Sequence, residues 1–388
     1  MATIINADTS DGLKLTSDTS GEIQFQSAGV VKAKVTANGL QDANGNSLRG
    51  GSFRNLIING DMQIAQRGTS VAGITGAGYY TLDRWETRIT TSGTWTMTQD
   101  ADVPLGQGFA SSMKFACTTA NASLPTNSAM RVGQHIEAQN LQHLKYGTSN
   151  AEKVTLSFWV KSNKIGTYNA WTTRQDSGRM SSKQFTISSA DTWEKKTLTF
   201  DGDTTGTIAN DNGRGMEFNI VFAAGTDYTS GTSPNGTWQD LSGNDPNRYV
   251  GNVNLADSTS NYINITGWQL EIGSGASDFE FLPYDVQLAR CERYYQVVDT
   301  TTNAYSSVGA TGFPYRVTMR TAPTTTFSYS GTANRVYNVQ TGAATDLSSV
   351  TFNTSVSGFS HYYTFTPTNW AGSAGNGFRT TWAFSAEL

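Results

Sequence analysis

The stretch Met216-Glu217-Phe218-Asn219-Ile220-Val221-Phe222 decides the fold class, because a large apolar residue occupies every second position. Successive side chains of a β-strand point to opposite faces of a sheet, so this period is typical of a strand with one face on a core. Similar short patterns recur through residues 53–284, separated by Gly, Asn, Asp and Ser. Short strands at regular spacing with such turns predict a β-sandwich or jelly roll, and therefore an all-β protein.

The composition of the 388 residues agrees with a β-rich chain and argues against several functions. Charged residues make up 15% of the chain, while 54 threonines and 39 glycines supply much of the polar and turn-forming sequence. The net charge is −4 and the pI is about 5.5, which argues against a nucleic-acid partner. No apolar run is long enough to span a bilayer, and the N-terminus does not resemble a signal peptide, so we expect no membrane insertion.

The two cysteines, Cys117 and Cys291, are too few for a disulfide framework. We expect both to be buried and reduced, as small apolar residues. The chain therefore combines cytoplasmic synthesis with a composition that looks extracellular. That combination suits a component released by cell lysis, such as part of a phage.

The chain divides into three predicted parts. Residues 1–52 hold three short alternating segments, which cannot enclose a core alone and should pack on identical partner chains. Residues 53–284 form the predicted jelly roll, and the inward face of the strand 261–272 switches near Gly267, which predicts a bulge. Residues 285–388 contain a predicted helix followed by a small β tip domain.

Two helical segments are predicted. A short turn is expected at residues 137–144, and a longer helix is expected after Pro283 with Asp285 as its N-cap. Spacings of four, three, four and three residues define the apolar stripe of that helix, which is Tyr284, Leu288, Cys291, Tyr295 and Val298. The stripe is expected either to pack on its own domain or to meet copies of itself near a symmetry axis.

Three stretches resemble a module that is common in phage tail fibres. They are residues 55–69 (NLIINGDMQIAQRGT) with 82–85 (LDRW); residues 154–162 (VTLSFWVKS) with 191–194 (DTWE) and 200–206 (FDGDTTG); and residues 266–273 (TGWQLEIG) with 281–285 (FLPYD) and 288–295 (LARCERYY). The resemblance implies a jelly roll similar to carbohydrate-binding modules, in a virion fibre or appendage that is usually a homotrimer. Residues 319–324 and 385–388 are similar to the tip domain that often follows the module. The resemblance implies mainly structural shared residues and no fixed catalytic motif.

Aromatic side chains in loops are the candidate ligand-binding residues, because the C–H face of a sugar stacks on an aromatic ring. Trp85, Trp159, Trp193 and Trp268 lie in strand or motif patterns and are expected in the core or in interfaces. The candidates for ligand contact are Trp171, Trp238, Tyr362, Trp370 and Phe378.

Metal and catalytic signals are weak. Asp201, Asp203 and Asp211 lie in loops that loosely resemble oxygen-rich calcium sites, so a structural calcium ion is the one cofactor the sequence suggests. The three histidines lack zinc spacing. No local motif proposes a pair of catalytic carboxylates or an activated nucleophile, so we expect no enzymatic activity.

The sequence therefore predicts a homotrimeric phage virion fibre or appendage that binds host cell-surface glycan. It would assemble in the host cytoplasm, and residues 1–52 would contact other virion proteins. A purely structural virion decoration or adaptor is the alternative. A polysaccharide depolymerase tailspike is a third hypothesis, against which the absence of long parallel β-helix repeats counts.

Overall fold

The computed structural model describes residues 21–36, 39–42, 53–305, 308–309, 315–329, 332–333, 335–338, 344–346, 349–353, 362–366 and 376–388. The strands are β1 (Ile23–Ser27), β2 (Val30–Thr36), β3 (Gly39–Asp42), β4 (Ser70–Ile74), β5 (Gly78–Tyr79), β6 (Glu86–Thr90), β7 (Thr94–Asp100), β8 (Ser112–Thr119), β9 (Ala129–Glu137), β10 (Val154–Ser162), β11 (Gly166–Arg174), β12 (Arg179–Ile187), β13 (Glu194–Phe200), β14 (Arg214–Ala224), β15 (Gln239–Asp240), β16 (Tyr262–Ile272), β17 (Tyr295–Tyr305), β18 (Val308–Gly309), β19 (Thr324–Tyr329), β20 (Thr332–Ala333), β21 (Arg335–Asn338), β22 (Ala344–Asp346), β23 (Ser349–Asn353), β24 (Tyr362–Thr366) and β25 (Asn376–Ser385).

The helices in these ranges are the α-helices α1 (Thr226–Thr229) and α2 (Tyr284–Glu292), and the 3₁₀ helices Ala138–Leu144, Asp245–Asn247 and Leu255–Asp257. The predicted short helical turn at residues 137–144 is thereby confirmed. None of the described helices has the length and apolar character needed to cross a membrane.

Two antiparallel sheets, with strands between Ser70 and Ile272, form the predicted jelly-roll sandwich. One sheet has the strand order β13-β10-β16-β8-β7-β4, and the other has the order β15-β12-β11-β14-β9-β6-β5. Met216, Phe218, Ile220 and Phe222 of β14 are fully buried between them. The ring of Phe222 lies 5.4 Å from that of Phe115 on β8, so the alternation that predicted the fold does form the contact between the sheets.

Strand β16 contains the predicted bulge. Ser157 of β10 pairs with Gln269, whereas Trp159 pairs with Thr266, so two residues of β16 face one residue of β10. Gly267 adopts the left-handed conformation there, with φ of +64°. The bulge turns Trp268 into the core, where its ring lies 4.7 Å from that of Trp85.

The motif around Asn55 is structural, as the resemblance implied. Asn55 Oδ1 accepts a hydrogen bond from Leu270 N at 3.0 Å, and Leu56 N donates to Leu270 O at 2.9 Å. Further along the same segment, Trp268 N donates to Gly60 O at 2.9 Å. Residues 55–60 therefore run along β16 and close one side of the sandwich.

Helix α2 is shorter than predicted. It ends at Glu292, and Tyr295 and Val298 belong to β17, which pairs with β25. Sheet pairing therefore overrides the helical spacing of the sequence. Asp285 is not the N-cap: Pro283 occupies that position, and Asp285 lies in the first turn.

The buried side of α2 packs on its own jelly roll. Gln287 Nε2 donates to Asp61 Oδ1 at 3.2 Å, and Cys291 clusters with Ile58 and Ile64. Both cysteines are buried and free, as expected. Of the two roles left open for the apolar stripe, the structure shows the contact within the chain.

The units at either end are small. Strands β1, β2 and β3 form an antiparallel meander, and Phe25 and Val30 on it are exposed. The first strand predicted in this segment, at residues 12–16, lies outside the described residues. At the other end, β17 and β25 form a long antiparallel pair, and Leu388 packs in the cluster that contains Cys291.

Candidate functional site

A pocket of about 380 Å³ lies on the outer face of the six-stranded sheet. Its aromatic lining consists of Phe109, Trp159, Phe279 and Phe281. Trp159 is half-buried and Phe281 is 46% exposed, so both rings retain surface toward the pocket. This pocket contains four aromatic rings, whereas a second pocket of about 610 Å³ is lined by two, Phe53 and Tyr294.

The strand pattern of β10 places Trp159 in this pocket. Leu156, Phe158 and Val160 point into the core, so Trp159 between the last two faces outward. Gly267 at the bulge makes room for two rings: a Cβ there would lie 2.6 Å from the ring of Phe109 and 3.2 Å from that of Trp159. The absence of a side chain at Gly267 therefore leaves space for the rings of Phe109 and Trp159 at the bulge.

Three phenylalanines form one wall of the pocket. The ring centroid of Phe109 lies 5.1 Å from those of both Phe279 and Phe281, and the last two are 4.9 Å apart. Tilted and edge-on contacts at these distances are favourable for aromatic rings. The wall is thus a mutually packed cluster, which keeps the exposed ring of Phe281 in a defined orientation.

The loop that carries Phe109 is fastened to the sheet at both ends. Asp102 accepts a hydrogen bond from Trp193 Nε1 at 3.0 Å and also pairs with Lys161. Thr266 Oγ1 donates to Ser111 O at 2.8 Å at the other end. Burial acts to raise the pKa of Asp100 at the start of the loop, but the N–H of Asp102 and the ammonium of Lys114 outweigh it and lower that pKa.

Polar groups surround the aromatic floor. Ser157, Lys195, Gln107 and Asp278 line the pocket, and Lys195 lies directly opposite Trp159 in the strand register. The peptide at Asp278 is held because its carbonyl oxygen accepts from Arg54 Nη2 at 2.6 Å. A sugar has both apolar C–H faces and hydroxyl groups. Aromatic rings can stack on the C–H faces, while an ammonium, an amide, a hydroxyl and a carboxylate can hydrogen-bond to the hydroxyl groups.

The structure does not bring the predicted residue Trp171 to this pocket. Trp171 lies in β11 on the outer face of the seven-stranded sheet and is only 3% exposed. Its ring is met edge-on by Tyr249 at 5.6 Å, and the guanidinium of Arg131 lies 5.0 Å from its centroid. Its faces are therefore covered by other side chains, and ligand contact by Trp171 stays a prediction.

Trp238 is also occupied by the protein. Its Nε1 donates to Asp201 O at 2.7 Å, and its ring meets that of Tyr146 edge-on at 5.8 Å. The side chain is half-buried and packs against the main core, so it anchors its loop.

Three further candidate residues belong to the predicted tip domain. Tyr362 begins β24 and Phe378 lies in β25, whereas Trp370 lies outside the described residues. Ligand contact by these residues stays a prediction.

The sequence analysis predicts Trp159 in the core or in an interface, although the alternation of residues within β10 indicates an outward side chain. The residues on either side of Trp159 are the inward ones, and strict alternation puts Trp159 on the opposite face. Phe109, Phe279 and Phe281 carried no such signal, because a loop and an irregular segment bring them together.

The acidic loop residues have protein partners. Asp203 pairs with Arg174 and with Arg179, whose Nε and Nη2 lie 3.2 Å from its two oxygens. Asp201 lies 2.9 Å from Lys153 Nζ, and Asp211 Oδ1 accepts from Gly213 N at 2.8 Å. The carboxylate of Asp203 is thus compensated by two guanidinium groups, and a structural calcium ion at these loops stays a prediction. No group of three or more metal-binding side chains occurs within the described ranges.

No family model matches the chain, and no curated protein matches it. Among solved structures, the chain is similar to the enzymatically active domain of tailspike protein 4 of bacteriophage CBA120. The identity is 14% and the TM-score is 0.30, over 56% of this chain and 21% of that chain. It is similar to TmCBM61 in complex with β-1,4-galactotriose, at 11% identity and a TM-score of 0.28, over 56% and 99% of the two chains. It is also similar to the family 11 carbohydrate-binding module of the cellulase Lic26A-Cel5E of Clostridium thermocellum, at 11% identity and a TM-score of 0.25, over 56% and 94%.

Proposed function

We propose that the protein is part of a phage virion appendage and that the pocket around Trp159 binds glycan on the host cell surface. The observation that carries the binding proposal is the pocket itself, with exposed aromatic rings next to polar side chains. The resemblance of residues 55–295 to a tail-fibre module supports the place in the virion. The assembly is a homotrimer in this proposal, attached to other virion proteins through residues 1–52.

Binding at one pocket is expected to be weak. Each ring that stacks on a sugar adds about 0.5–1.5 kcal/mol beyond area burial if it resembles an aromatic pair. A trimer that presents three pockets to one polysaccharide layer gains avidity, since the second and third contacts are intramolecular. Weak single sites and strong multivalent adhesion are therefore compatible in one particle.

The proposal is for binding rather than cleavage. Asp278 is the one carboxylate among the described residues that line the pocket. Glycosidases generally use two carboxylates that flank the scissile bond. A sugar held on Trp159 thus has polar contacts but no second acid–base group beside it.

The test is binding of fluorescently labelled protein to host cells before and after periodate oxidation of their glycans. Phe281→Ala removes an exposed ring of the pocket, and Tyr284→Ala removes a ring that is 58% exposed but lies outside the pocket lining. We expect oxidation and Phe281→Ala each to reduce binding, and Tyr284→Ala to leave it unchanged. Binding that survives oxidation would contradict the glycan proposal.

A structural role in the virion is the second candidate function, because the loop beside the pocket exposes apolar surface. Leu105 is 97% exposed and directly precedes Gly106 and Gln107, which line the pocket. Exposed apolar surface of this kind also suits contact with another protein. Light scattering distinguishes sugar binding from a structural role. If the protein is an oligomer and Phe281→Ala dissociates it, the surface around Phe281 serves in assembly and not in sugar binding.

A further inference from the structure

The outer face of the seven-stranded sheet contains hydrogen-bond donors that have no acceptor. Trp171, Asn219 and Tyr249 are each at least nine-tenths buried, with exposures of 3%, 4% and 1%. Trp171 Nε1, Asn219 Nδ2 and the Tyr249 hydroxyl are buried atoms without a hydrogen-bond partner. The Nε atoms of Arg131 and Arg248 are also buried and have no hydrogen-bond partner. Unpaired buried polar groups are costly, so a set of them in one place requires an explanation.

These groups surround a single indole ring. The guanidinium carbons of Arg131 and Arg248 lie 5.0 and 5.6 Å from the ring centroid of Trp171. Tyr249 meets that ring edge-on at 5.6 Å. Burial raises the pKa of Tyr249; the charges of Arg131 and Arg248 act to lower it, and those of Glu217 and Tyr228 act to raise it. The donors therefore belong to one cluster.

Asn219 is held beside this cluster by the sheet. It is the register partner of Trp171 on one side and of Gly133 on the other. A Cβ at Gly133 would lie 2.5 Å from Asn219 Oδ1, so the missing side chain is what lets the amide lie over β9. Arg131 is two residues from Gly133 on that strand, on the same face. The amide and the guanidinium are thus neighbours.

The two arginines of the cluster differ in their ion pairs. Arg248 is paired with Asp245. Glu217 accepts a hydrogen bond from Thr173 Oγ1 at 3.1 Å and lies 3.3 Å from His135 Nδ1, and Arg88 Nε lies 2.9 Å from Glu86. Arg131 has no ion pair with a described residue, and its Nε is buried without a hydrogen-bond partner. Glu217, two residues from Asn219 on β14, is the carboxylate that acts on Tyr249. Several unpaired donors around an arginine without an ion pair favour a ligand that only accepts hydrogen bonds and carries negative charge.

We propose that Arg131, Asn219, Trp171, Tyr249 and Arg248 form a binding site for a carboxylate, such as the acid group of a uronic sugar. A carboxylate is an acceptor with a single negative charge, and its two oxygens match the N–H edge of a guanidinium. This site is on the opposite sheet from the Trp159 pocket and does not depend on the glycan proposal. Arg131 is only half-buried and gives the ligand its route from solvent.

Calorimetric titration with D-glucuronate, with D-glucose as the neutral control, tests this site. We expect glucuronate to bind in the millimolar range and glucose not to bind here. The Trp159→Ala protein should bind glucuronate equally well, which separates this site from the proposed glycan pocket. Absence of glucuronate binding, or equal binding of inorganic phosphate, would overturn the carboxylate assignment.

Two substitutions locate the site. Arg131→Gln should weaken glucuronate binding at least about tenfold, whereas Arg88→Gln, at the register partner of Arg131, should not. Asn219→Asp supplies a carboxylate from within the protein, so it should abolish glucuronate binding while the thermal midpoint is maintained or rises. Thermal denaturation of each variant identifies misfolding. A folded Asn219→Asp or Arg131→Gln protein that binds glucuronate as the wild type does would refute the proposal.

Discussion

The carboxylate of Asp203 is paired with the guanidinium of Arg174, and both side chains are almost completely buried. A buried pair is costly to break, because the remaining charge stays desolvated without its partner. We therefore expect Asp203→Asn to lower the free energy of unfolding by about 3–5 kcal/mol, as measured by urea denaturation.

Asp240→Asn is the matched control for this prediction. Asp240 also pairs with an arginine, Arg179, but its side chain is 74% exposed. An exposed pair contributes about 0–1 kcal/mol, so this variant should be nearly as stable as the wild type. Equal losses in the two variants would show that burial does not set the strength of the Arg174–Asp203 pair.

The bulge at Gly267 yields a prediction about the glycan pocket. Gly267→Ala places a Cβ 2.6 Å from the ring of Phe109, at a left-handed φ of +64°. We expect a loss of about 1–3 kcal/mol in stability, together with weaker glycan binding because Phe109 must move. Gly178→Ala shares the left-handed conformation, with φ of +58°, but has no atom within 4 Å of the added Cβ. It should cost stability and leave glycan binding unchanged.

The carboxyl group of Glu86 makes the free energy of unfolding depend on pH. Burial acts to raise its pKa, but the hydrogen bond and charge of His135, with those of Arg88, outweigh burial and lower the pKa from 4.5 to about 2. The folded state therefore favours the charged form, and this stabilisation is present above the unfolded pKa and is lost as the pH falls toward about 2. The wild type should be more stable than Glu86→Gln near neutral pH, with the difference shrinking in acid. A difference that grows in acid would contradict this sign.

The two thiols should be unreactive in the folded protein. Burial raises the pKa of Cys117 and raises that of Cys291 well above its usual value, so little thiolate is available to attack a reagent. We expect labelling by a water-soluble disulfide reagent only after unfolding in guanidinium chloride. Labelling of either thiol at native conditions would show that the cluster around Cys291 or the sheet around Cys117 opens locally.

The alternation of apolar residues carried enough information to predict the sandwich and even its bulge. Phe218 and the other apolar residues at every second position of β14 share one face of the strand, and that face is the buried one. In β16 the alternation is interrupted at Gly267, where the bulge lies. The length of α2 could not be obtained in this way. Tyr295 continues the helical spacing, yet its pairing with Ser385, ninety residues later in the chain, decides its conformation.

The candidate site was harder to predict from the sequence than the fold. Position within β10 would have placed Trp159 outward, but loop composition had directed attention to Trp171 and Trp238. Both of these are covered by contacts from distant segments, such as Tyr249 on Trp171. Exposure of an aromatic ring depends on what folds over it, and a local pattern does not contain that information.

Strands β17 and β25 leave and re-enter the jelly roll side by side, with Tyr295 opposite Ser385 and Ala304 opposite Asn376. The last residues after β25 are fastened in turn, since Glu387 pairs with Arg84 and Tyr79 OH donates to Leu388 O at 3.1 Å. The first and last residues of the segment between these two strands therefore lie next to each other. Adjacent ends of this kind make a segment replaceable, because an inserted domain of another length can begin and end at the same two strands without disturbing their pairing.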